Sequence, residues 1–112
     1  MHQHPRQSFK KIGFWYSTYE PDLPKPQEYI DWKWDPHERI LIANWLKAGQ
    51  VVASYRGMST CRVCNIHNGH QDITDGTYVW PSGYVHYIES HGVKPPQEFI
   101  DHVKRKMAEF AR

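Results

Sequence analysis

The stretch TCRVCNIHNGH, residues 60–70, holds both cysteines of this chain, Cys61 and Cys64, and two of its eight histidines. A C-x2-C spacing lets two thiolates from one tight turn reach the same tetrahedral zinc ion. Redox pairs share this spacing, but they need a helix that begins at the first cysteine, within a thioredoxin-like βαβ unit. Asn65 and Gly69 disfavour that helix. The stretch therefore favours a metal site over a redox pair or two unliganded thiols.

The segments around the cysteines predict the elements of a zinc finger. Residues 51–57, VVASYRG, predict a strand, and residues 77–81, TYVWP, predict a second strand that a proline ends. The second strand is expected to pair back on the first as a zinc-stabilised β-hairpin. Residues 84–92, YVHYIESHG, predict a short helix that a glycine ends. Residues 65–74 are rich in turn residues and are expected to form a surface loop. The order of strand, knuckle, strand and helix is the layout of a Cys2His2 finger.

The predicted helix carries His86 and His91, whose spacing lies within the H-x3–5-H range of zinc ligands. On a regular helix the two positions lie about 140° apart, so both can face one ion only if the last turn loosens. Gly92 provides the backbone freedom for that distortion. The rival sets keep both cysteines and use His67 with His70, or His67 with one helical histidine. Ligands within a single loop would organise little core, which favours the helical pair.

Length and composition limit the class of protein. The 112 residues fit one domain with a thin core, and aromatic residues make up 14% of the chain. Such a domain gains stability from a metal staple. No apolar run is long enough to cross a bilayer, and the N-terminus lacks the apolar core of a signal peptide. The sequence thus predicts a cytoplasmic protein without a membrane partner, in which a structural disulfide is disfavoured.

The N-terminal third begins with a polar end and continues with a segment rich in aromatic residues. Residues 1–12 are polar and are expected to form a flexible N-terminal arm, whereas residues 13–112 are expected to form a single zinc-stabilised domain. Residues 13–36, here called the aromatic arm, contain four prolines and seven aromatic residues. The prolines exclude a continuous helix, and so many rings are costly to leave in water. We expect the aromatic arm to pack on the domain, with Trp15 and Trp34 as anchors.

Two further helices complete the predicted α+β fold, one before the zinc unit and one at the C-terminus. Asp35 can cap the first helix, and an apolar stripe follows along one side of it. Its positions are Ile40, Leu41, Ala43, Asn44, Trp45 and Ala48. The last helix follows two prolines, and its apolar spacing describes an amphipathic helix. Its apolar positions are Phe99, Ile100, Val103, Met107 and Phe110.

Residues 55–103 resemble a group of small uncharacterised bacterial zinc-binding proteins. The shared pattern is CRxC, then NG, then DGxYVWPxGxxHYxxxHxV, and the likeness extends upstream through GFWYS and WDPHER. The resemblance implies metal binding by Cys61, Cys64, His86 and His91. The group does not require histidines at the positions of His67 and His70, which favours the helical pair. The resemblance implies no activity.

No catalytic residue is assigned. The scattered acids are expected on the solvated surface, and they are Asp72, Asp75, Glu89, Glu98 and Asp101. Glu89 lies between the two histidines, but two cysteines and two histidines already fill the coordination sphere of a structural Zn2+ ion. The first hypothesis is a non-enzymatic interaction or regulatory module for another protein. The second is a zinc-finger-like nucleic-acid binder, which a net charge of +2 supports only weakly, and the third is a metallohydrolase.

Overall fold

The computed structural model describes residues 8–111 and shows an α+β fold there. Three helices accompany one four-stranded mixed sheet, which confirms the predicted class for this part of the chain. In chain order the elements are β1 Lys10–Lys11, a 3-10 helix Pro26–Tyr29, α1 Pro36–Lys47, β2 Gln50–Thr60, β3 His67–Thr74, β4 Tyr78–Pro81, α2 Tyr84–His91 and α3 Gln97–Phe110.

The sheet has the order β1-β4-β3-β2, with β1 parallel to β4 and the other neighbours antiparallel. The predicted surface loop at residues 65–74 is therefore wrong, because most of it forms the central strand β3. The strands before and after it both pair with β3 and not with each other, so the predicted β-hairpin between these two strands is also wrong. Hydrogen bonds to two neighbours stabilise β3 although Asn68 and Gly69 have low strand propensity, since strand formation depends more on context than on local preference.

The pairing of β2 with β3 is irregular. Ser54 pairs with Gln71, and Ser59 pairs with Gly69, so residues 55–58 of β2 face only His70 of β3. A bulge of this kind bends a strand and blunts a free edge against further pairing. It also displaces Tyr55 and Met58, which are both exposed, towards the face of the sheet that the aromatic arm crosses.

Helix α1 begins where the sequence predicts, because the Asp35 side chain accepts a hydrogen bond of 3.0 Å from the His37 N–H. The predicted apolar stripe is confirmed only in part, because Ala43 is buried and Leu41 and Trp45 pack against the core, whereas Ala48 is exposed. The helix buries Ile42, Ala43 and Leu46, whereas Ile40 is 57% exposed. The buried face of α1 is therefore rotated by one to two positions from the predicted one. Trp45 lies at the edge of this buried face and is half-buried.

The main core lies between the sheet and the three helices. On α3, Phe99, Ile100 and Val103 are fully buried as predicted, but Phe110 is 80% exposed. The largest fully buried side chains of this core are Trp80, Tyr84, Phe99, Ile42, Leu46, Ile88 and Ile100. Aromatic rings contribute much of this buried area, as the composition suggests.

The aromatic arm packs on the domain, and both predicted anchors are confirmed. Trp34 is 6% exposed and belongs to the main core, and its indole N–H donates to Glu38 at 2.6 Å. Trp15 lies edge-on to Tyr84 and Tyr87, with ring centroids 6.2 and 5.8 Å away. A bridge between Ile30 and Val93 ties the far half of the arm to the segment after α2.

The N-terminal boundary differs from residue 13. Of the predicted flexible arm, residues 1–7 lie outside the described part of the chain. Lys10 and Lys11 pair with Tyr78 and Val79 of β4, and Ile12 is 8% exposed in the main core. The packed chain therefore includes β1.

Candidate metal centre

The two cysteines lie in the tight turn that joins β2 to β3. The Cys61 N–H donates to the Ile66 carbonyl, and the Asn65 N–H donates to the Cys61 carbonyl, each at 2.9 Å. Asn65 has a φ of 64°, a left-handed conformation that asparagine adopts more readily than most residues. The Val63 N–H approaches the Cys61 Sγ at 3.4 Å. This turn holds both sulfur atoms on one side and supplies an N–H to one of them, as a thiolate ligand requires.

The C-terminal turn of α2 is wider than a regular helical turn. The Gly92 N–H donates to the carbonyl of Tyr87, five residues back, and the Val93 N–H donates to the same carbonyl at 3.1 Å. Gly92 has a φ of 63°, and a Cβ atom there would lie 2.9 Å from the Trp32 ring. An i→i−5 bond marks a π-type turn, which brings positions i and i+5 closer to the same side of a helix. This turn places His86 and His91 next to each other.

The four predicted ligands come together between the knuckle and α2. One ligand atom from each of Cys61, Cys64, His86 and His91 lies within 4.8 Å of all the others. The Cys64 Sγ is 3.3 Å from the His86 Nε2, and the two imidazole rings are 5.0 Å apart and nearly perpendicular. These four side chains could hold a metal ion. No second group of metal-ligating side chains converges within residues 8–111.

The electrostatics of His91 suit a neutral ligand. Its Nε2 atom is buried and has no hydrogen-bond partner. Burial lowers the pKa of His91, and the neighbouring His86 lowers it further. A neutral imidazole with a buried, unpaired nitrogen is the form that binds a metal ion.

Tyr87 is a supporting residue that the cysteine and histidine spacing does not indicate. It belongs with Cys61 and Val93 to a second small core cluster beside the site. Its hydroxyl accepts a hydrogen bond of 2.7 Å from the Arg62 N–H, so it fixes the knuckle against α2. The one sequence signal for this role is the position of Tyr87 directly after His86.

The knuckle also holds the aromatic arm. The Arg62 side chain donates from Nε to the Tyr16 carbonyl at 3.0 Å and from Nη1 to the Thr60 carbonyl. The Gln27 amide donates to the Arg62 carbonyl at 2.8 Å. The arm is thus fastened at two points to Arg62, one of the two residues between the cysteines.

The alternative histidine ligands on β3, and the glutamate between the two histidines of α2, lie apart from this group. His67 and His70 are exposed on β3, and neither belongs to the cluster. Glu89 forms an ion pair of 2.8 Å with Lys47 on the surface, so it does not face a metal as a general base would. The structure therefore brings the two cysteines together with His86 and His91, and not with His67 and His70.

Asp75 was expected on the surface with the other acids, and this expectation is wrong. Its side chain is 6% exposed, and its Oδ2 atom lies 2.8 Å from the His102 Nε2 and 3.0 Å from the Trp45 Nε1. Burial works against ionisation of Asp75, but hydrogen bonds outweigh it and lower its pKa. The backbone N–H groups of Tyr78 and Thr77 donate to its Oδ1. His102, which is 3% exposed, is the second buried polar residue that the sequence pattern did not indicate.

Compared with known proteins, the chain matches no family model, no curated protein and no solved structure. None of the helices in the described part of the chain combines the length and the apolar character that a membrane crossing requires.

Proposed function

We propose that this chain is a small non-enzymatic domain in which Cys61, Cys64, His86 and His91 hold one structural zinc ion, and that it acts as an interaction or regulatory module for another protein. The observation that carries the proposal is the convergence of four ligand atoms from two separate elements within 4.8 Å. A metal there joins the β2–β3 knuckle to α2, so its binding free energy adds to the free energy of folding.

The donor set favours zinc among the common metals. Two thiolates and two imidazoles in a compact group suit a tetrahedral ion of intermediate softness, whereas magnesium and calcium prefer oxygen ligands. Both cysteines are free thiols, which suits a metal site in a reducing compartment such as the cytoplasm. Membership of the bacterial group with the CRxC motif stays a prediction.

A structural role is favoured over catalysis because four protein ligands leave no position for water or substrate. A metallohydrolase also needs a base beside the metal, and the ion pair with Lys47 directs Glu89 elsewhere.

The low net charge of +2 favours a protein partner over nucleic acid. Ion pairs occupy several of the cations, namely Lys10 with Glu98, Lys47 with Glu89, Lys104 with Glu38 and Lys106 with Glu109. Phosphate binding draws on unpaired cations on one face. Exposed rings are available instead, since Tyr19 is 93% exposed and Trp32 is 62% exposed, and aromatic residues are enriched where proteins contact each other.

Metal analysis tests the site. Protein purified without chelator should contain close to one equivalent of zinc, and cobalt substitution should give the intense visible bands of a tetrahedral site with thiolate ligands. Cys64→Ser should lose the metal, whereas Ser59→Ala, a matched change two residues before the knuckle, should retain it. A fully folded wild-type protein without metal would contradict the proposal.

Capture experiments test the partner class. Tagged protein should retain a partner protein from a lysate of its native host after nuclease treatment. Loss of all bound material on nuclease treatment, together with sequence-selective binding at physiological salt, would favour the nucleic-acid alternative.

A further inference from the structure

The two cysteines of the candidate metal centre differ in their access to solvent. Cys61 is fully buried, whereas Cys64 is half-buried, and both are free thiols. Cysteines that sense oxidants combine an accessible thiolate with a neighbouring cysteine that resolves the product as a disulfide. Cys64 suits the first role and Cys61 the second, because a reagent dissolved in water reaches Cys64 and not Cys61.

The two sulfur atoms lie close enough to join. They belong to the four ligand atoms that lie within 4.8 Å of one another, so they need to approach by less than about 3 Å to form a disulfide. They are also the only cysteines in the chain, which leaves one possible intramolecular pairing. Disulfides in a reducing compartment are transient and serve catalysis or redox sensing. Because no helix begins at Cys61, the geometry favours sensing over a thioredoxin-like catalytic pair.

Loss of both sulfur ligands would separate the knuckle from α2. The other two candidate ligands, His86 and His91, both lie on α2, so they hold no part of the knuckle by themselves. The hydrogen bond of 2.7 Å from the Arg62 N–H to the Tyr87 hydroxyl would remain across this junction. A disulfide therefore exchanges a link between two elements for a link within one turn.

We propose that Cys61 and Cys64 form a peroxide-sensing switch, in which oxidation to a disulfide releases the metal and uncouples the knuckle from α2. The switch rests on the proposed zinc site and adds a mode of regulation to it.

The reaction balances with hydrogen peroxide as the oxidant. The Cys64 thiolate attacks one peroxide oxygen, the O–O bond breaks, and Cys64 becomes a sulfenic acid while hydroxide leaves. The Cys61 thiolate then attacks the Cys64 sulfur, the S–O bond breaks, and a second hydroxide leaves. The two sulfur atoms lose two electrons in total, and one peroxide gains them. Thiolates that bind a metal are already deprotonated, so no proton has to be removed before the attack.

Peroxide treatment of the full-length, zinc-loaded protein tests the switch. Zinc release, followed with a chromophoric indicator, should reach one equivalent for each disulfide formed. Trypsin cleaves after Arg62, between the two cysteines, and next after Lys104, because Pro95 protects Lys94. Only the disulfide therefore joins peptides 57–62 and 63–104 in an unreduced digest. Mass spectrometry should find this linked pair in protein that runs as a monomer on a non-reducing gel, and a thiol reductant with added zinc should restore the metal-bound form.

Methionine oxidation is the competing reaction, because Met58 is 47% exposed and lies three residues before Cys61. Met58→Leu is the matched control, and it should release zinc at the same rate as the wild type. Zinc release without the linked peptides, zinc release that Met58→Leu abolishes, or zinc retained after the methionines are oxidised would each overturn the switch and leave the metal site standing. A protein that contains no zinc as purified would contradict the site and the switch together.

Discussion

At the scale of single residues, Asp75 shows how partners distant in the sequence decide burial. An Asp-Gly pair indicates a turn, and Asp75 does accept the N–H groups of the two residues after Gly76. Its other partners, Trp45 on α1 and His102 on α3, are separated from it by 30 and 27 positions. No local pattern connects these three side chains, so the sequence alone could not place the carboxylate in the interior.

The first prediction concerns this buried network. We expect Asp75→Ala to lower the free energy of unfolding by about 3–5 kcal/mol, because it leaves buried donors on Trp45 and His102 without their shared acceptor. Asp101→Ala removes an exposed acid and should change it by no more than about 0.5 kcal/mol. Denaturant titration of both variants with metal present measures the difference. Similar small losses would show that the network contributes little.

The second prediction concerns Gly92. We expect Gly92→Ala to destabilise the protein by at least about 1–2 kcal/mol, because an alanine would be strained at a φ of 63° and its Cβ would press on the Trp32 ring. It should also weaken zinc binding, since the wide turn that aligns His86 and His91 depends on this position. Gly57→Ala is the control, because nothing lies within 4 Å of its added Cβ. Competition with a chromophoric chelator gives the zinc affinities. An unchanged zinc affinity in Gly92→Ala would show that metal binding does not depend on the wide turn.

At the scale of elements, the sequence predicts those parts whose causes are local. Helix α1 begins at a capping aspartate followed by proline, and α2 ends at a glycine, as their sequences indicate. Strand β3 could not be predicted in this way, because its residues favour turns and its stability comes from hydrogen bonds to β2 and β4. The candidate ligands were nevertheless identified, because C-x2-C and H-x4-H spacings depend on chemistry and not on the strand between them.

The third prediction compares the histidines of α2 with those of β3. His86→Ala and His91→Ala should each lower the melting temperature strongly, by about 4–8 °C for every kcal/mol of lost metal-linked stability. His67→Ala and His70→Ala should have little effect, because both side chains are exposed and outside the cluster. Thermal melts of the four variants with one equivalent of zinc show which pair of histidines binds the metal. A large loss in His67→Ala or His70→Ala would favour the local loop site.

At the scale of the whole molecule, two unequal clusters form the interior of the part that the structure describes. The main core is apolar and aromatic and includes none of the four candidate metal ligands. The smaller cluster, Cys61, Tyr87 and Val93, lies beside the metal ligands, and Trp15 packs against both clusters. A zinc ion would therefore stabilise chiefly the smaller cluster and whatever is fastened to it. The aromatic arm is fastened there, through Trp15 and through the Arg62 contacts with Tyr16 and Gln27.

The fourth prediction follows from this division. Removal of the metal with a chelator should increase amide exchange first in the knuckle, in the C-terminal turn of α2 and in residues 14–30 of the aromatic arm. Exchange should stay slow around Trp80 and Phe99, which are fully buried in the main core. The reason is that loss of the ion removes the link between the knuckle and α2, so Arg62 is held less firmly beside Tyr87. Hydrogen exchange with mass spectrometry, with and without chelator, measures the order. Arg62→Ala with metal bound removes the side-chain bond to Tyr16 and keeps the main-chain bond to Gln27, so it should speed exchange around Tyr16 alone. Uniform loss of protection would mean that the two clusters unfold as one unit, and unchanged protection in the arm would mean that the knuckle does not hold it.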